Sequence, residues 1–75
     1  MKKELNLNKS VYDLVQEYPE VKDIMCELGF KWIANPIGLR IVGKSMTIPK
    51  GSELKGIAMD KIIEAFEAYG FEVIS

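Results

Sequence analysis

Histidine is missing from this chain, and cysteine occurs once, at Cys26. A single thiol cannot close an internal disulfide, and without imidazole or a second thiol the usual zinc and haem ligand sets cannot be assembled. Ser–His and Cys–His nucleophilic pairs fail for the same reason. No apolar run approaches the ~20 residues of a membrane span, and Met1–Glu4 leads into an asparagine-rich amphipathic stretch rather than a signal peptide. A net charge of -1 gives no overall attraction to nucleic acid or anionic lipid. The expectation is therefore a cytoplasmic protein that is not an enzyme, with no metal, cofactor, nucleic acid or membrane partner.

What is present is apolar material. With 48% hydrophobic residues in 75 positions there is enough for one core, so residues 1–75 are expected to form a single domain with its core at about 5–74. A chain this short buries only about 60% of the surface its unfolded form exposes, which makes good packing or a partner valuable.

Apolar spacing predicts mainly helices. Ser10 is an N-cap candidate, followed by Val11, Leu14, Val15 and Tyr18 at helical intervals, and Pro19 ends that run. Pro19 also suits the first turn of a second helix carrying Val21, Ile24, Met25 and Leu28, which Gly29 stops and Phe30 covers. Lys31–Ala34 has no clear period. Asn35-Pro36 then opens a short helix through Ile37, Leu39, Ile41 and Val42, with Gly43 as its stop. Thr47 caps a fourth helix with Ile48 and Leu54, weakened by Gly51 and stopped by Gly56. Met59, Ile62, Ile63 and Phe66 mark a fifth, ended by Gly70. The fold expected is all-α, a compact orthogonal array of five to six short helices. Leu5–Leu7 and Phe71–Ile74 offer a minimal two-stranded pairing of the termini, although two short strands alone are unstable.

Charge is unevenly distributed. Residues 31–55 hold Lys31, Arg40, Lys44, Lys50 and Lys55 against Glu53 alone, a local +4 between an N-terminal part at -2 and a C-terminal part at -3.

Gly38–Ser45 matches the phosphate-loop pattern G-x-x-x-x-G-K-[ST] at every fixed position. Its surroundings argue against a nucleotide site. The motif needs a buried strand before it and a long helix after it, whereas a turn precedes it here and Pro49 soon follows. Its variable positions are bulky and apolar, as in a packed helical turn. Cys26 falls about 140° from Val21 around its helix, off the apolar stripe, near a C-terminal end whose dipole disfavours a thiolate. An inert, partly exposed thiol is expected. The carboxylates Glu17, Glu20, Asp23 and Glu27 lie on wet helix faces, without the dry partner that acid–base pairs require.

An ordered set of marks covers nearly the whole chain from Leu5 to Phe71: Ser10-Val11, Leu14, Tyr18-Pro19-Glu20, Leu28-Gly29-Phe30, Asn35-Pro36, Val42-Gly43-Lys44, Met46-Thr47-Ile48, Gly56-Ile57 and Gly70-Phe71. It resembles a small helical domain-of-unknown-function family of bacteria and archaea, found alone and ahead of PAS-like and hemerythrin-like domains. A sister group is the hybrid-cluster-protein-associated disulfide domain, whose C-x-G-C pair would fall at Trp32 and Asn35. Neither residue can form a thiolate, so a redox role does not carry over, and a domain that has lost its cysteine pair is the least favoured reading. The resemblance implies a regulatory or ligand-sensing module.

The site expected is the elbow of residues 30–45. Phe30 and Trp32 would form an apolar wall, with Asn35, Arg40, Gly43, Lys44 and Ser45 as the polar part, suited to a small anionic ligand. The alternative is an interaction domain that forms a homodimer or docks on a sensory-domain partner.

Overall fold

The computed structural model describes residues 3–74. Strand β1 (Lys3–Asn6) is followed by helices α1 (Val11–Glu17) and α2 (Glu20–Leu28), and then by a 3-10 turn over Lys31–Ala34. Helices α3 (Pro36–Gly43), α4 (Ile48–Lys55) and α5 (Met59–Ala68) precede strand β2 (Phe71–Ile74). The Cα radius of gyration is 11.0 Å, close to the ~11 Å expected for a domain of this length.

The helix boundaries follow local chemistry. Ser10 Oγ accepts from the Asp13 N–H at 3.2 Å, and Thr47 Oγ1 accepts from Lys50 N–H at 3.4 Å. Asn35 Oδ1 caps α3 by accepting from the N–H groups of Ile37 (2.9 Å) and Gly38 (3.3 Å), with Pro36 in the first turn. At the other ends, Gly29 adopts φ 115° and returns its N–H to Cys26, while the Phe30 N–H bonds Met25 at 3.0 Å. Only glycine takes that backbone without strain. Lys31–Ala34 forms 3-10 bonds, Ile33 to Phe30 and Asn35 to Trp32, each 3.2 Å. Four residues are too few to display a period, which is why the sequence shows none there.

The termini pair as anticipated, and the pairing is parallel. Lys3 lies opposite Phe71, Glu4 opposite Glu72, Leu5 opposite Val73, and Asn6 opposite Ile74. All five helices therefore lie in the crossover between two strands that cannot be joined by a tight turn. Leu5 and Phe71 enter the core, and this burial supplies the stability that two strands lack alone. Phe71 meets Tyr18 and Phe66 edge-to-face, at centroid distances of 5.3 and 5.5 Å.

The core joins Leu5, Leu14, Ile24, Met25, Phe30, Ile33, Ile48, Ile62 and Phe66, all fully or almost fully buried. Phe30 comes from the α2 cap and reaches α4, where its Cε1 would lie 3.2 Å from any Cβ placed on Gly51. Gly51 weakens a helix because the space it leaves holds an aromatic ring. Close by, the buried Ser52 hydroxyl donates to the Ile57 carbonyl, and its own carbonyl accepts from Ile57 N–H at 3.1 Å. That closes α4 beyond Gly56.

Candidate functional site

Helix α3 decides how the expected site is built. Its apolar residues fall on two opposite sides. Leu39 and Gly43, four apart, are buried, while Ile37 and Ile41, also four apart, are each 68% exposed. At about 100° per residue, Leu39 lies some 200° from Ile37, so one side packs inward and the other faces out. The inner side lies on α1. A Cβ on Gly43 would meet Leu39 Cδ1 at 3.1 Å and the Tyr12 backbone nitrogen at 3.3 Å.

The outer side carries a shallow hollow of about 330 Å³ lined by Pro36, Ile37, Arg40 and Ile41. Among the described residues its one charge is the exposed Arg40, set among apolar side chains on the same helix. A second hollow, of about 410 Å³, is lined by Glu67, Gly70, Phe71 and Glu72. Its two carboxylates repel an anion.

The structure disperses the residues expected in the elbow. The sequence places Phe30 in the wall of a groove, yet its ring is fully buried in the core and reaches no surface. Trp32 is half-buried, packed partly against the core, with its carbonyl close to Gly38. Asn35 is exposed, but its side-chain oxygen is engaged in capping α3. Gly43 is the last residue of α3, as expected of a stop, but it ends the helix without a left-handed turn, and its lack of a side chain lets α3 approach α1. The Lys44 ammonium sits 5.2 Å from the centre of the Tyr12 ring, over a different helix from the hollow. Ser45 turns both its N–H (3.2 Å) and its hydroxyl (3.4 Å) to the Val42 carbonyl. The polar groups of Ser45 are therefore spent on the helix end. Gly38–Gly43 is helical, so the phosphate-loop pattern forms no loop. Of the seven residues, only Arg40 lines the hollow.

Sequence reasoning named Ile37 and Ile41 as helix residues but not as site residues. Their signal was available, since α3 carries apolar residues on two opposite sides and a surface helix needs only one. Elsewhere, Cys26 lies half-buried on α2. Tyr69 Oη donates to Glu27 Oε2 at 3.1 Å, tying α5 to α2 and holding the phenol pKa above its ordinary value. The Lys3 ammonium bonds Glu20, keeping that carboxyl below its usual range, and lies 5.2 Å from the Phe71 ring centre. Among the described residues, no group of three or more His, Cys, Asp or Glu side chains gathers as a metal site, and no helix is long and apolar enough to cross a membrane.

Comparison with known proteins places this geometry in a lineage. A family model for a domain of unknown function, DUF1858, matches residues 5–63. The crystal structure of the conserved domain protein from Streptococcus pneumoniae TIGR4 is 42% identical, covering 99% of this chain and 94% of that one, with a TM-score of 0.93. No curated protein matches the chain.

Proposed function

The chain belongs to the DUF1858 family of domains of unknown function, and from that footing we propose that it is a non-enzymatic module that binds another protein through the outward side of α3. The observation that carries this reading is the exposure of Ile37 and Ile41, each 68%, one helical turn apart and beside Arg40. Single exposed hydrophobics are ordinary, but two on one ridge lining one hollow form a patch. All four lining residues come from one helix. A small ligand there would be covered from one side, whereas small-molecule sites bury about 70–90% of their occupant. A protein surface supplies the missing cover.

The test is a photoreactive residue at position 37, with position 64 on α5 as the control, crosslinked in the living cell. Binding through α3 gives one discrete adduct from position 37 and none from 64. The crosslinked protein, purified, then binds the wild-type domain and loses binding to an Ile37→Ser/Ile41→Ser variant. Equal smears from both positions overturn the reading.

A small organic anion is the second reading, favoured by the hollow beside Arg40: its carboxylate would meet the guanidinium and its apolar part the isoleucines. A ligand at 100 times its Kd would add about 2.7 kcal/mol to stability. A thermal-shift screen of organic acids without any such gain rejects it.

A further inference from the structure

We infer that the occupant of the α3 ridge is an acidic amphipathic helix of a different polypeptide, its apolar side chains on Ile37 and Ile41 and a carboxylate on Arg40. This inference rests on the protein-binding reading above and adds the partner's chemistry. Ile37 and Ile41 form an i, i+4 ridge, the feature that interdigitates with a second helix. Among the described residues, Arg40 is the only charge lining the hollow, and its planar fork suits a carboxylate.

Charge argues against a second copy of the chain in this role. Residues 28–52 contain no acidic side chain, while Lys31, Arg40, Lys44 and Lys50 all lie within them and are exposed. A two-fold contact centred on this ridge sets Arg40 against the other copy's Arg40, and residues 28–52 supply no acid to neutralise either. Residues 31–55 sum to +4, so a partner helix bearing carboxylates is attracted to that segment, whereas a second copy brings the same charge to it.

The experiment uses two synthetic helical peptides of about 14 residues, long enough for three to four turns. Both carry leucines at i and i+4; one has flanking glutamates and the other flanking lysines. Binding is read from backbone amide NMR shifts of the 75-residue chain and from the fluorescence of Trp32, its only tryptophan. The expected result is that the glutamate peptide shifts Ile37, Arg40 and Ile41, and the lysine peptide binds at least about tenfold more weakly. Arg40→Glu reverses that preference. If both peptides shift α3 equally, or the lysine peptide does so more strongly, the acidic-partner inference falls while the α3 reading stands. If neither shifts α3, both fall. Concentration-dependent broadening of Ile37 and Ile41 without peptide overturns the inference in favour of a second copy.

Discussion

Ser10 and Thr47 face each other across an isolated antiparallel bridge, and each is also the N-cap of the helix that follows it. The Val11 N–H donates to the Met46 carbonyl at 2.7 Å beside them. One short backbone contact thus fixes the starting points of α1 and α4 together. Ser10→Ala and Thr47→Ala should each cost about 1 kcal/mol in urea unfolding. Because the two caps share this bridge, the double variant should depart from additivity by about 0.5 kcal/mol or more. Strict additivity would show that the caps act separately.

Gly43→Ala tests the contact between α3 and α1. Helix propensity favours alanine by about 1 kcal/mol at an interior position, and by less at Gly43, the last residue of α3. The new methyl, however, would press on the Tyr12 backbone nitrogen and Leu39, and overpacking costs about 1–3 kcal/mol. A net loss of about 1 kcal/mol is expected. A variant more stable than the parent would mean that Tyr12 yields easily and the close approach has little value.

Glu4 and Glu72 lie opposite each other in the strand register, both exposed. Like charges so placed repel, by an amount on the order of 0.2–1 kcal/mol. Glu72→Lys should therefore stabilise the domain by about that much, and the gain should shrink as salt is raised. A salt-independent gain would assign the effect to packing.

The Lys3–Glu20 pair makes an acid-side prediction. The hydrogen bond from Lys3 lowers the Glu20 pKa below its unfolded value, so the folded state holds the carboxylate more tightly. The contribution is present above the unfolded value of about 4.3 and is lost as pH falls through the folded value. Lys3→Met should flatten that part of the stability-against-pH curve at low salt. Both groups are well exposed, so the difference should fade as salt rises. Identical curves for the two proteins at low salt would remove the pair from the account.

Chemistry confined to neighbouring residues was readable in the sequence. The helix N-caps at Ser10 and Thr47, the helix opened by Asn35-Pro36, and the stops at Gly29, Gly56 and Gly70 depend on the few residues around each. Gly43 also ends its helix, but not by the same device. A left-handed glycine and a close-packed glycine look alike in a sequence, and telling them apart requires Tyr12, which belongs to another helix. Phe30 failed as a site residue for a related reason: the space that receives it is left by Gly51 on α4. On α3, periodicity reveals two apolar sides but not which one the rest of the fold covers. The smaller pair, Leu39 and Gly43, went inside because α1 comes close there, leaving the isoleucines out.

The parallel register of the two strands has a mechanical consequence. The chain enters the ladder at Lys3, beside Phe71, and leaves at Ile74, beside Asn6, so entry and exit lie at opposite ends of the pair. Tension applied through those points pulls the strands along their length in opposite directions. It loads their hydrogen bonds in shear, together with the 2.7 Å bond from Leu7 N–H to the Ile74 carbonyl. Bonds loaded side by side yield together, whereas a hairpin pulled from its open end unzips one bond at a time. The five helices lie between the two grips and carry load only after that clasp has slipped.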